Sequence, residues 1–256
     1  MRMHATVAPA LLVPAALTLF LATACGGGTG ARTTSATAGT ATRAAASPTG
    51  SPTPAANGVE RLPAAEILAR ARKATLAAKS VRLHGTVRED GEKVGLDFRY
   101  SGTDAAVGDV TFSGQRISLV RIGRSVYIKG DDAFWKGVGG AGAVQLLSGK
   151  YLRTTPKDRG FRDLANFTTR SKLFAEILSP EGTVRKGKAA TVGGAPAVAL
   201  ADGTGGLLYV ATLGEPYALR LEGRKEGRID FDGYGAAVTV QPPPASQVVD
   251  VSKLKP

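Results

Sequence analysis

The chain is nearly devoid of cysteine. Cys25 is the single one in 256 residues. Everything after it can form no disulfide and can offer no thiolate to a metal, so that part must be held by its core alone. Histidine is almost as scarce, with His4 and His84 the two in the sequence. Aromatic residues make up only 6%, so large core fillers are few. No acidic residue precedes Glu60. The apolar run Val7 to Leu21 is shorter than the ~20 residues a membrane span needs. No Arg-Arg pair precedes it, which points to the general secretory route rather than the twin-arginine one.

What is present at the N-terminus is an export signal. Arg2 supplies a basic start and Val7 to Leu21 an apolar stretch broken by Pro9, Pro14 and Thr18. Then comes Leu21-Ala22-Thr23-Ala24-Cys25, followed by Gly26-Gly27-Gly28. This resembles a bacterial lipobox, in which the cysteine thiol takes a diacylglycerol before cleavage. Residues 1–24 then form the signal peptide, and the mature chain begins at an acylated Cys25 on the outer face of the cell membrane. Each buried methylene contributes about 0.8 kcal/mol, and two or more chains make a stable anchor. Two alternatives stay open. Ala22-Thr23-Ala24 also fits ordinary signal cleavage, and the apolar run could be retained.

Residues 25–59 read as the lipidated cysteine plus a tether of Gly, Ala, Thr, Ser and Pro. It has no large apolar residue before Val59 and cannot build a core. As a flexible coil it holds the next domain roughly 30 Å from its anchor. Residues 60–256 suffice for one domain, expected to be a monomer. Three of the 33 basic residues, Arg2, Arg32 and Arg43, precede Glu60 and none of the 21 acidic ones does, so the domain carries about +9. Such a surface favours anionic partners such as headgroups and wall polymers, although charge for solubility explains it as simply. The cations are scattered among Asp and Glu without interleaved aromatics, which argues against nucleic acid.

Along the domain, Leu62 to Lys79 reads as a helix, with Glu66 and Arg70 paired at i,i+4. Alternation predicts strands at Val81 to Val87, Val94 to Tyr100, around Val110 and Phe112, and at Ile117 to Ile122 and Ser125 to Lys129. Asp90-Gly91 is a hairpin signal. Ala143 to Leu147 predicts a short helix and Phe161 to Leu178 a longer one. A second meander follows: Val184 to Thr191, Ala195 to Leu200, Leu207 to Thr212, Tyr217 to Glu222, Arg228 to Phe231 and Ala237 to Val240.

Candidate chemistry is thin. His84 lies on the polar side of its strand without a second ligand or base, and reads as solvent-facing. Asp131-Asp132 and Asp230-x-Asp232 have too few oxygens for calcium and read as turn residues. Gly137 to Gly142 lacks the ending of a phosphate loop and reads as a mobile loop. No catalytic, metal or cofactor site is predicted, and the chain is not expected to be an enzyme.

Several strand and turn segments resemble one family. They are Ile122-Gly123-Arg124-Ser125-Val126-Tyr127-Ile128-Lys129-Gly130, Phe134-Trp135, Lys150-Tyr151-Leu152, Val192-Gly193-Gly194-Ala195-Pro196-Ala197-Val198, Leu208-Tyr209-Val210-Ala211 and Gly214-Glu215-Pro216-Tyr217-Ala218-Leu219-Arg220-Leu221. With the lipobox and tether they look like the LppX/LprG/LprA/LprF-type lipoproteins of actinobacteria, which share the LolA/LolB-like half-barrel. The resemblance implies an α+β fold: a curved antiparallel sheet of about ten strands wrapped around two or three helices. It also implies an apolar cavity for lipid or glycolipid. By alternation, that cavity would be lined by Leu96, Phe98, Tyr100, Val126, Ile128, Leu207, Tyr209, Leu219 and Leu221. The competing reading is a tethered interaction module whose core is filled.

Overall fold

The computed structural model describes residues 54–89, 91–223 and 227–250. The expected signal peptide, Cys25 and most of the expected tether lie outside them, as does Asp90 of the expected hairpin. The described chain is α+β. Its open sheet has twelve strands rather than about ten, with four α-helices rather than two or three.

The first meander comprises β1 (Ser80–Glu89), β2 (Glu92–Ser101), β3 (Ala105–Phe112), β4 (Gln115–Ile122), β5 (Ser125–Lys129) and β6 (Tyr151–Thr154). The second comprises β7 (Arg185–Val192), β8 (Ala195–Ala201), β9 (Leu207–Ala211), β10 (Ala218–Gly223) and β11 (Gly227–Asp232). β1 is the seam, pairing with β2 on one side and β11 on the other, so the two meanders form one sheet. These contacts are antiparallel, whereas β12 (Val248–Asp250) adds parallel to β6 at the edge. The strand expected at Ala237 to Val240 does not form, and the chain pairs again only at β12, beyond Pro242-Pro243-Pro244. Proline there donates no hydrogen bond to a ladder.

Helices α1 (Ala64–Ala77), α2 (Asp132–Leu147), α3 (Arg162–Phe167) and α4 (Arg170–Ile177) accompany the sheet. The single helix expected over Phe161 to Leu178 is broken at Thr168-Thr169. Thr168 Oγ1 donates to the Ala165 carbonyl at 2.7 Å and Thr169 Oγ1 to the same oxygen at 3.3 Å. Hydroxyls that take a carbonyl in this way compete with the helical ladder.

The core lies between helices and sheet. Phe98 and Tyr100 of β2 stack at 6.0 Å, Phe167 of α3 stacks on Phe98 at 6.1 Å, and Phe174 of α4 meets Tyr100 edge-on at 5.4 Å and Phe231 of β11 at 5.6 Å. The few aromatics are thus concentrated at the seam, where each such pair adds about 0.5–1.5 kcal/mol beyond burial. Contacts of the domain begin before Glu60. Ala56 bridges to Leu213, and the Asn57 amide donates to the carbonyls of Ala211 and Gly214, both at 3.0 Å.

Candidate functional site

The two faces of the sheet differ in chemistry. On the helix-covered face, five of the nine candidate cavity residues are buried: Leu96, Phe98, Tyr100, Val126 and Ile128. Phe98, Val126 and Ile128 have 0% of their surface accessible, so no water-sized space is left against them. Tyr100 Oη donates to the Phe167 carbonyl at 2.7 Å, and burial pushes its phenol well above the usual range.

The other four fall differently. On β9 the buried residues are Leu208, Val210 and the terminal Ala211, and Leu207 and Tyr209 lie on the face opposite Leu208 and Val210, the outer one. Tyr209 Oη donates there to Glu222 at 3.1 Å. On β10 the register shifts between Ala218 and Arg220, which sets Leu219 at the irregularity. Leu221 pairs with Leu208 and shares its inner face, half-buried. The cause of the irregularity is visible. The Ala218 amide donates to Thr75 Oγ1 of α1 at 3.0 Å, and its carbonyl accepts from Tyr234 Oη at 2.6 Å. Partners off the ladder draw this residue out of regular pairing, and a bulge reverses the alternation.

The glycine-rich segment expected as a loop is the middle of α2. Asp131 caps the helix, its carboxylate accepting the Phe134 amide at 2.7 Å. Gly139 and Gly140 leave helical geometry, with φ of −153° and +67°. Phe134, Trp135 and Leu147 are buried at the two ends. Between them, residues 136–142 are exposed, Val138 by 49%, and Leu146 nearer the end is 37% exposed. α2 is an excursion between β5 and β6, which pair directly with each other. Displacing it breaks no ladder. Trp135 Nε1 and Thr154 Oγ1 of β6 are buried without hydrogen-bond partners, an unusual state for a native interior.

The outer face is a ladder of ion pairs across six strands. Asp109 of β3 takes Arg116 of β4 at 2.6 Å, and Asp97 of β2 takes Arg82 of β1 at 2.7 Å. His84 of β1 meets Asp232 of β11 at 2.9 Å. Asp230 takes Arg220 of β10 at 2.6 Å and Arg228 at 2.7 Å, and Arg220 also reaches Glu222 at 3.4 Å. The Arg82 bond holds the Asp97 carboxyl below its ordinary value. Burial pushes Asp230 the other way, but the bonds from Arg220 and Arg228 outweigh it and its pKa is also lowered. Asp230 and Asp232 are therefore strand rather than turn residues, and His84, on the outer polar face as expected, is engaged in a cross-strand pair with Asp232. Sequence reading missed it because the partners lie 148 residues apart. Exposed pairs of this kind contribute little each, about 0–1 kcal/mol.

No helix among the described residues is long and apolar enough to cross a membrane. No family model matches the chain, and no curated protein matches it significantly. Solved structures do. The fold is similar to that of LprF from Mycobacterium bovis. That likeness covers 70% of this chain and 96% of LprF, at 16% identity and a TM-score of 0.47. A conserved protein from Thermus thermophilus follows, at 15% identity and TM-score 0.38 over 73% of this chain and 98% of that one. MucB matches 70% of this chain with 62% of its own, at 20% identity and TM-score 0.37.

Proposed function

We propose that the chain is an extracytoplasmic binding module, anchored to the membrane through acyl chains on Cys25, that takes lipid or glycolipid on the helix-covered face of its sheet by displacing α2. The observation that carries this reading is the construction of α2. A helix covering a finished core turns large side chains inward along its length. α2 is instead fixed at its ends and spanned by glycine, which costs about 1 kcal/mol per residue relative to alanine in a helix. Segments with little apolar burial open first. α2 lies against β4, and Leu119 of that strand pairs with Ile128 of β5, both fully buried on the apolar face. An acyl chain would cover that face in place of the helix, and the orphan atoms of Trp135 and Thr154 offer a donor and an acceptor to a polar group.

One observation favours a second reading. The inner face is closed by the aromatic cluster, as in an interaction module with a filled core that docks through its exterior to anionic wall polymers or to another envelope protein. Mass spectrometry of lipids extracted from purified protein separates the two. The chain is expected to release a non-covalently held lipid in near-stoichiometric amount, and the Cys25→Ser chain the same lipid while losing its covalent acyl groups and its membrane anchorage. Absence of co-purified lipid from both forms would leave the interaction module standing.

A further inference from the structure

The outer-face ladder is balanced except at one end. Thr86 of β1 stands opposite Arg228 on β11 and Gly95 on β2. Two places along β1, Arg88 stands directly opposite Lys93. Like charges in direct register repel, and neither has a carboxylate partner among the described residues. The Arg88 guanidinium reaches only the Gly91 carbonyl, at 3.3 Å. Two carboxylates on this face are already engaged: Asp230 by Arg220 and Arg228, Glu222 by Tyr209 and Arg220.

The same place is concave. A groove of about 480 Å³ is lined by His84, Thr86, Arg88, Lys93, Arg228 and Asp230, with Gly85 and Gly227 completing it. Both glycines have positive φ, +149° and +104°, and they bracket the Thr86–Arg228 pair on adjacent strands. A Cβ on Gly85 would lie 2.1 Å from the Arg228 carbonyl oxygen, and one on Gly227 2.0 Å from that of Thr86. The strands are pressed together where only glycine fits, and the sheet is indented on its polar side. Gly95 adds no side chain beside Thr86.

We propose that this groove binds a phosphate group. Arg88, Lys93 and Arg228 supply charged donors and Thr86 a hydroxyl, on a wall of fixed strands. Charge-assisted bonds to an oxyanion are about twice as strong as neutral ones, and a bound anion would relieve the Arg88–Lys93 repulsion. The groove lies at the hairpin end of β1–β2 and β10–β11, whereas the chain enters the domain at the other end, beside Leu213. The inference is independent of what happens beneath α2.

Phosphate could arrive free or as the diester of a headgroup or wall polymer. The full chain, in detergent at constant chloride, is titrated calorimetrically with inorganic phosphate and, separately, with glycerophosphoglycerol. Saturable binding of the diester identifies a headgroup or polymer, and binding of inorganic phosphate alone identifies the free ion. The Arg88→Gln/Lys93→Gln chain is expected to lose about tenfold or more in affinity. The Arg124→Gln/Lys150→Gln chain, with the same change in net charge at exposed positions away from the groove, should bind as the parent does. Equal loss in both double variants, or no saturable binding of either probe, overturns the proposal.

Discussion

Replacing Arg170 by Met should cost about 3 kcal/mol or more of stability, the largest loss expected from any single polar side chain in the domain. Arg170 begins α4 and is only 5% exposed. Its Nη1 donates to the Ala78 carbonyl at 2.7 Å and its Nη2 to that of Leu76 at 2.8 Å. These are among the last carbonyls of α1, which lack partners within their own helix. The α1 terminus also carries the negative end of the helix dipole. A guanidinium placed there without a carboxylate is stabilised by those two oxygens, and burial lowers its pKa from the ordinary arginine value. Met fills a similar volume but leaves the buried Ala78 carbonyl and the part-buried Leu76 carbonyl unpaired, each a penalty of about 1–3 kcal/mol at full burial. Chemical denaturation measures the loss. Arg170→Lys, which cannot span both carbonyls with a planar fork, should fall between the parent and Met. A Met variant as stable as the parent would mean that water satisfies both carbonyls.

Gly85→Ala should be more disruptive still, at about 3–5 kcal/mol, from left-handed strain together with overpacking. The new methyl would meet the Arg228 carbonyl oxygen at 2.1 Å, and that oxygen belongs to the backbone of the adjacent strand. Relief requires β1 and β11 to part, and β1–β11 is the seam joining the two meanders. Gly95, opposite Thr86 on β2, is the control. Its added Cβ would come no nearer than 3.5 Å, to the side chain of Thr111, and its φ lies outside the left-handed region. Gly95→Ala should therefore be neutral or stabilise by a few tenths of a kcal/mol through the unfolded chain. Thermal melts of the two variants side by side decide the point. Equal melting temperatures would show that the seam yields without cost.

Local pattern and long-range partnership were not equally legible in the sequence. β1, β2, β4 and β5 could be read by alternation because each has one buried and one polar face, and Leu96, Phe98, Tyr100, Val126 and Ile128 fall on the buried side as that pattern requires. The Glu66–Arg70 pair appears at 2.7 Å. Alternation failed on β9, where Leu207 to Ala211 are all apolar or aromatic and set no phase, and on β10, where the register near Ala218 answers to Thr75 and Tyr234 rather than to the local sequence. It failed again at α2, where glycine argues for a loop but the Asp131 cap and the buried Phe134-Trp135 hold a helix. The break between α3 and α4 was hidden in two threonines whose hydroxyls turn back on Ala165. β6 and β12 were missed because strands of four and three residues carry too little periodicity to read. The phosphate groove was out of reach altogether, since β1 and β11 meet only in the folded sheet.

The claim at the centre is that α2 opens while the rest of the core stays closed. Hydrogen exchange of the backbone amides tests it directly. Amides from Lys136 to Leu146 should exchange well ahead of those of α1 in lipid-free protein and slow markedly once lipid is bound. Exchange of that segment only together with the core strands, unchanged by lipid, would contradict the account.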